Sequence, residues 1–436
     1  MIPRHRYVIF LALFAAACRA GVPRAELPLP PPAPAPGDTT CTIAVGRAAR
    51  RDTVTLAVSD PVDAGHAPLP RNDAERLVFG QLYESLIRVD CQGRPLPGLA
   101  ATWEEAPGDR WAFTLRDNAR FWDGAPVTAR DVLASWQSHD ATLAASLTVT
   151  GDRTFTVAAS DAPFQRLADQ ALAVTKPAPG SGWPIGTGRY WMTSGDPASP
   201  DAFVAQPMAR SGQPAVKIAS GPTGGARDAL DGGADVVITD DAATLDYART
   251  LTGYVDVPLE WSRTYVLLAP GRDKSVIGDL RLESLREAVH GDARPAEWSG
   301  PGRFWFADLH SCAQAGRDTL GASARRHRIV YNQSDRSAAD LAARLVGLGV
   351  LGRGAVAAGV PASAFESSLR AGSDAAYVLE LRRQVYDVCR AALELPPWSS
   401  AATIEPLLDV RSHAVVRRGT PRMTLDWDGT LRLAPP

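Results

Sequence analysis

Two apolar periods alternate along most of the chain, and that alternation limits the fold more than any other feature. Arg51 to Asp60 (RDTVTLAVSD) alternates apolar and polar residues, the pattern of a strand with one buried face. Asn72 to Leu86 places Leu77, Val78, Leu82 and Leu86 at helical spacing, with Asn72 or Asp73 as the cap. Ile87 to Asp90 reads as a strand closed by a turn at Gln92-Gly93, and Trp111 to Arg116 as another. Thr128 to Trp136 predicts an amphipathic helix, with Thr128 capping it and Asp131 in the first turn, where the helix dipole favours a carboxylate. Arg153 to Ala159 is again strand-like. Strands follow at Ala234–Thr239, Arg263–Ala269, Arg328–Asn332 and Ala355–Ala358; helices at Ser284–His290, Ser337–Leu348 and Ala362–Arg370. Leu379 to Leu395 reads as a longer helix, and the tail from His413 to Leu433 as strands with a hairpin at Asp428-Gly429. Such alternation implies α/β lobes. With 436 residues, the chain is long enough for two or three of them.

The first residues read as an export signal. Arg4, His5 and Arg6 precede an apolar stretch, Tyr7 to Ala17, that is too short to cross a bilayer as a helix. It ends in Ala15-Ala16-Ala17-Cys18, which resembles the lipobox of bacterial lipoproteins, in which the cysteine is lipidated. A plain secretory signal cleaved nearby is the alternative. Pro28 to Pro36 is almost entirely Pro, Ala and Leu, an extended composition that suits a tether. Without Cys18 four cysteines remain, Cys41, Cys91, Cys312 and Cys389, an even number that suggests disulfides in an exported protein. Three pairings are open. Cys41 with Cys91 and Cys312 with Cys389 keeps both partners within one half of the chain, and four buried thiols are the alternative.

Motifs of chemistry are missing. No lysine follows a glycine, so there is no phosphate loop of the G-x-x-x-x-G-K-[ST] type. Gly347 to Gly352 matches G-x-G-x-x-G, but a helix precedes it where a strand is required, so its glycines read as a helix stop. Neither G-x-S-x-G nor H-E-x-x-H occurs, no cysteine has zinc-site spacing, and Asp240-Asp241 is an adjacent pair whose side chains diverge. The expectation is a chain with no catalytic residues, no metal and no cofactor. A net charge of −2 gives no basic patch for nucleic acid.

An ordered series of phrases then resembles the family 5 extracellular solute-binding proteins of bacterial ABC importers. Tyr83-Glu84-Ser85-Leu86 stands for Y-E-G-L, Asp90 to Gly93 for D-x-x-G, and Pro97 to Trp103 for P-x-L-A-x-x-W. Phe113 to Arg116 matches F-x-L-R, and Phe121 to Val132 matches F-x-D-G-x-P-x-T-A-x-D-V. Pro184 to Tyr190 is similar to P-x-G-T-G-P-Y, with Arg189 in place of the second proline, and Ala229 to Asp235 to A-L-x-x-G-x-x-D. The resemblance implies an α/β, two-lobed type II periplasmic-binding-protein fold with an appended third domain. It implies a signal peptide at 1–18, a tether at 19–40, domain I at 41–85, 186–258 and 403–436, domain II at 86–185, and domain III, shortened, at 259–402. It also implies a lipid-anchored, monomeric protein outside the cytoplasm, periplasmic or at the cell surface. That protein would hold a peptide or small polar solute in an interdomain cleft and pass it to a permease of the inner membrane. The W-x-x-D-Y-type segment of peptide binders has no counterpart after Leu369-Arg370-Ala371-Gly372-Ser373-Asp374. The candidate contacts are Trp261, Arg263 and Tyr265, which share one face of an ideal strand, together with Tyr190 after the Gly186–Gly188 turn. Arg263 would pair with a ligand carboxylate. The alternative is core packing for Trp261 and Tyr265 and a surface ion pair for Arg263.

Overall fold

In the computed structural model the described residues are 41–49, 51–158, 164–178, 182–192, 202–208, 212–220, 225–270, 298–299, 326–382, 395–396, 398–399 and 402–434. Cys18, the proline-rich tether, Cys312, Cys389 and the expected helix at Ser284–His290 lie outside them.

One large mixed sheet organises the molecule. In chain order its strands are β1 (Thr53–Val58), β2 (Tyr190–Met192), β3 (Ala202–Pro207), β4 (Ala215–Ser220), β5 (Val236–Thr239), β6 (Tyr254–Ala269), β7 (Trp298–Ser299), β8 (Arg326–Asn332), β9 (Val356–Val360), β10 (Asp374–Arg382) and β11 (Thr403–Arg417). Their spatial order is β9-β8-β10-β6-β11-β5-β1-β4-β3-β2, with β7 also paired to β11. β1 is flanked by parallel β4 and β5, and β8 by parallel β9 and β10, whereas β6 and β11 run antiparallel to each other and to their neighbours.

Each parallel group has its own helices and core, because a βαβ crossover returns its helix to the sheet. Helix α1 (Asp73–Leu82) is capped by Asn72, whose side chain accepts from the Glu75 amide at 2.8 Å. It buries Leu77, Val78, Phe79 and Leu82 against β1, β4 and β5. Between Leu86 and Val174 a separate core forms around a four-stranded antiparallel sheet. There helix α2 (Ala129–His139) opens with a reciprocal capping box between Thr128 and Asp131 and buries Trp136 completely. Helix α3 (Arg336–Gly347) and helix α4 (Ala362–Ala371) pack on the β8–β10 group. The Cys41 and Cys91 sulfurs are bonded, with their Cα atoms 5.5 Å apart.

Two glycines mark a close approach. A Cβ on Gly186 or Gly188 would come within 2.5 Å of the Leu82 carbonyl oxygen, so the strand entering at Tyr190 packs against the end of α1 only because both positions lack a side chain.

One expected element is different. The stretch read as the beginning of a helix at Leu379–Leu395 is the end of strand β10, and residues 383–394 lie outside the described set. Alternate residues of β10 enter two different cores, Ala376 and Val378 the one under α3 and Tyr377 and Leu381 the one with Trp398 and Ile404, so both its faces are buried. A strand buried on both sides loses the alternation that marks a strand in sequence.

Candidate functional site

The longest strands, β6 and β11, pair along most of their length and carry the sheet from one parallel group to the other. Residues 254–258 of β6 pair with 413–417 of β11, which also holds β5; residues 263–268 of β6 pair with β10. Between these two parts the ladder is irregular. Its register slips between Pro258 and Trp261, and again between Trp261 and Arg263. Trp261 stands opposite Arg411 and Arg263 opposite Val410, so two steps along β6 match one along β11. That is a bulge, and it breaks the alternation which was to put Trp261 and Arg263 on one face. The Trp261 side chain lies outside the described residues.

Arg263 follows the bulge immediately and is 8% exposed. Its guanidinium reaches Asp240 at 2.8 Å, Glu380 at 3.3 Å and Asp73 at 3.7 Å, and donates to the Ser412 hydroxyl at 3.0 Å. Asp240 follows β5, Asp73 opens α1, and Glu380 lies on β10, diagonal to Arg263 across the ladder. Burial disfavours the Arg263 charge, but Glu380, Asp240 and Asp73 outweigh it, and its pKa stands well above that of an ordinary arginine. An arginine so surrounded is not an open receptor for a ligand carboxylate, and the expected surface ion pair is a buried one.

Tyr265 is 4% exposed, and its hydroxyl donates to the Asp335 carboxylate, 3.0 and 3.1 Å from its two oxygens. Asp335 also caps α3 by accepting from the Ala338 amide, so Tyr265 ties β6 to the start of that helix. Burial, with Glu380 and Asp335 nearby, pushes the phenol pKa far up. Tyr190 lies away from this strand pair, in the core around α1. It is 1% exposed in the α1 core, and its hydroxyl donates to Gln213 at 2.7 Å. The short β2 begins there, and the residue after the glycine turn is drawn inward as a core residue.

Sequence reading missed two groups. Glu75, buried in the first turn of α1, accepts from the amides of Arg71 at 2.7 Å and Asp63 at 3.1 Å and contacts His66 Nδ1 at 2.7 Å. It knots the loop before α1, and the Asn72-x-x-Glu75 spacing of a capping box was its signal. Asp409 lies opposite Thr264 on β11 and is 1% exposed. Thr264 donates to one of its oxygens at 2.7 Å, and the other is buried with no hydrogen-bond partner among the described residues. Burial pushes its pKa up to about 7, with the Thr264 hydroxyl opposing. No group of three or more potential metal ligands occurs among the described residues.

Residues 94–217 match the sequence profile of the bacterial extracellular solute-binding proteins, family 5 Middle. By this segment, somewhat over a quarter of its length, the chain is similar to solute-binding protein family 5. The periplasmic oligopeptide-binding protein OppA of Salmonella typhimurium is 46% identical over 63 residues, which are 14% of this chain and 12% of that protein. The nickel-binding periplasmic protein of Escherichia coli is 34% identical over 110 residues, 23% of this chain and 20% of its own length. The matched stretches thus span a fifth or less of these two relatives. Solved structures extend the likeness in fold. The pheromone receptor PrgZ superposes with a TM-score of 0.63 at 12% identity, covering 88% of this chain and all of that one. NikA from Brucella suis in complex with Fe(III)-EDTA gives 0.62 at 15% identity, covering 87% of this chain and 100% of its own. The fold of this chain is therefore that of the two-lobed periplasmic binding proteins.

Proposed function

We propose that this protein is the extracytoplasmic solute-binding subunit of an ABC importer. It takes a peptide or similar small polar solute between its lobes, catalyses no reaction, and delivers the solute to a permease. The observation that carries this reading is the conjunction of a family 5 middle region with the binding-protein fold over 87–88% of the chain. In this reading domain I comprises 41–85, 186–258 and 403–436, domain II 86–185, and domain III 259–402, and the solute lies beside the bulged stretch around Trp261. Cys18 carries the lipid and the proline-rich segment is the tether, which keeps the protein at a membrane outside the cytoplasm.

Native mass spectrometry of protein purified without denaturation, followed by a thermal-shift screen of peptides, amino acids and metal chelates, tests the reading. A co-purifying solute, or a melting temperature that rises with ligand concentration, is expected. A protein with neither would instead fit a ligand-free interaction lipoprotein. One observation favours that second reading: the hydroxyls of Tyr190 and Tyr265 and the two terminal nitrogens of Arg263 are engaged inside the protein. The anchor is tested separately. Cys18→Ala should move the protein from the membrane fraction to the soluble extract, and a wild-type protein already soluble and starting beyond Cys18 would exclude lipidation.

A further inference from the structure

The partners of Arg263 come from both sides of the β6–β11 crossing. Asp73 opens α1 and Asp240 follows β5; both elements pack into the core built on β1. Glu380 belongs to β10, whose core is built with β8, α3 and α4. Ser412 lies on β11, in the short stretch where that strand passes from one group to the other. Arg263 itself is the first residue of β6 to pair with β10 after the two register slips. A bulged ladder bends more readily than a regular one, because its extra residues leave hydrogen bonds unmade. Hinges concentrate at a few such element-terminal residues. The guanidinium therefore bridges the irregular stretch of this strand pair between the two groups; a third register shift, between Tyr265 and Val266, lies beyond it.

We infer that Arg263 is a latch across the hinge: its ion pair with Asp240, with Asp73 farther off, on one side and its bond to Glu380 on the other hold the two lobes in a single relative arrangement. A buried arginine suits this role. Its planar fork makes several fixed bonds at once, and it keeps its charge at any physiological pH. Moving one lobe away would separate Asp240 and Asp73 from the guanidinium, while Glu380, on the same side of the bulge as Arg263, stayed with it. The resulting charge imbalance in a buried place opposes the motion. The latch thus sets how often the lobes part, and with it how often a solute enters or leaves. That last consequence rests on the solute-binding reading; the latch does not.

Pulsed electron–electron resonance between spin labels on unnatural amino acids at Lys217 and Val356 tests it in the full chain without solute. Both positions are exposed, on β4 and on the edge strand β9, and the native cysteines stay untouched. Glu380→Gln and Asp240→Asn each remove one arm and keep the side-chain shape. Asp340→Asn, which removes a surface pair with Arg344 on α3, is the control. Wild type and control should give one narrow distance distribution. Each latch variant should raise a second population roughly tenfold, the effect of losing one charge-assisted bond. Unchanged distributions in both variants, with melting curves showing folded protein, would overturn the latch. If Glu380→Gln does not fold, Asp240→Asn carries the test alone, since the Asp240 side chain is 43% exposed. Because no solute is present, a failed solute screen leaves this result standing, and a negative result here leaves the solute reading intact.

Discussion

Replacing Asp409 by asparagine should make the protein more stable above neutral pH and leave it unchanged near pH 4. Asp409 is buried on β11, with one oxygen held by the Thr264 hydroxyl and the other without a partner among the described residues. Burial raises its pKa from 3.8 to about 7. At pH 5 to 6 the native state keeps a proton that the unfolded chain has released. Stability therefore falls as pH rises from the unfolded value, about 4, and the loss is complete above the folded value, about 7. At about 1.4 kcal/mol per pKa unit, three units amount to about 4 kcal/mol at most. Asparagine has the same shape, stays neutral at every pH and removes this dependence. Urea unfolding of wild type and Asp409→Asn at pH 4.5, 6, 7.5 and 8.5 measures the effect. The two curves of stability against pH should diverge above about pH 5, with the variant higher. Thr264→Val should shift the wild-type loss to higher pH, because the hydroxyl favours the charged form. Parallel curves for wild type and Asp409→Asn would show that Asp409 is solvated or paired, and the argument from burial would fail.

Other perturbations test other parts of the structure. The Cys41–Cys91 bond closes a loop with a sequence separation of 50; Cys41→Ser with Cys91→Ser should cost about 4 kcal/mol by the chain-entropy estimate, read by urea unfolding without reductant. Glu75→Gln puts a donor where the carboxylate accepts from Arg71 and Asp63; a loss of about 2 kcal/mol, with faster amide exchange at residues 63–71, is expected. Trp136→Ala empties the centre of the core between Leu86 and Val174 and breaks the 3.0 Å bond from its indole to the Leu172 carbonyl; calorimetry should show a loss of about 3–5 kcal/mol in the transition that includes this region.

Much of the fold was legible because its signals are local. The Thr128–Asp131 capping box, the Asn72 cap and the Asp428-Gly429 hairpin each lie within a few residues, and the structure forms all three. Where the information is not local the reading failed. β10 carries apolar residues on both faces because a separate core covers each, and nothing within its own nine residues reports those two layers. The bulges in β6 arise from a ladder with β11, about 150 residues away in sequence, so a regular two-residue period was the only available guess.

The same distinction explains why the surroundings of Arg263 could not be read from its own segment. Gly186 and Gly188 are fixed by a backbone approach to Leu82 that any protein with this packing must make, so their spacing reads as a motif. Arg263 has no such constraint in its own segment. Its environment consists of carboxylates 190, 23 and 117 residues away, at Asp73, Asp240 and Glu380. Seen alone between Trp261 and Tyr265, a cation beside two aromatics suggests a receptor for an anion. In the fold those carboxylates meet its charge, and its position at the bulged crossing turns the same residue from a ligand contact into a tie between elements. On the proposed solute-binding reading, a change at Arg263 would reach the solute through the arrangement of the lobes.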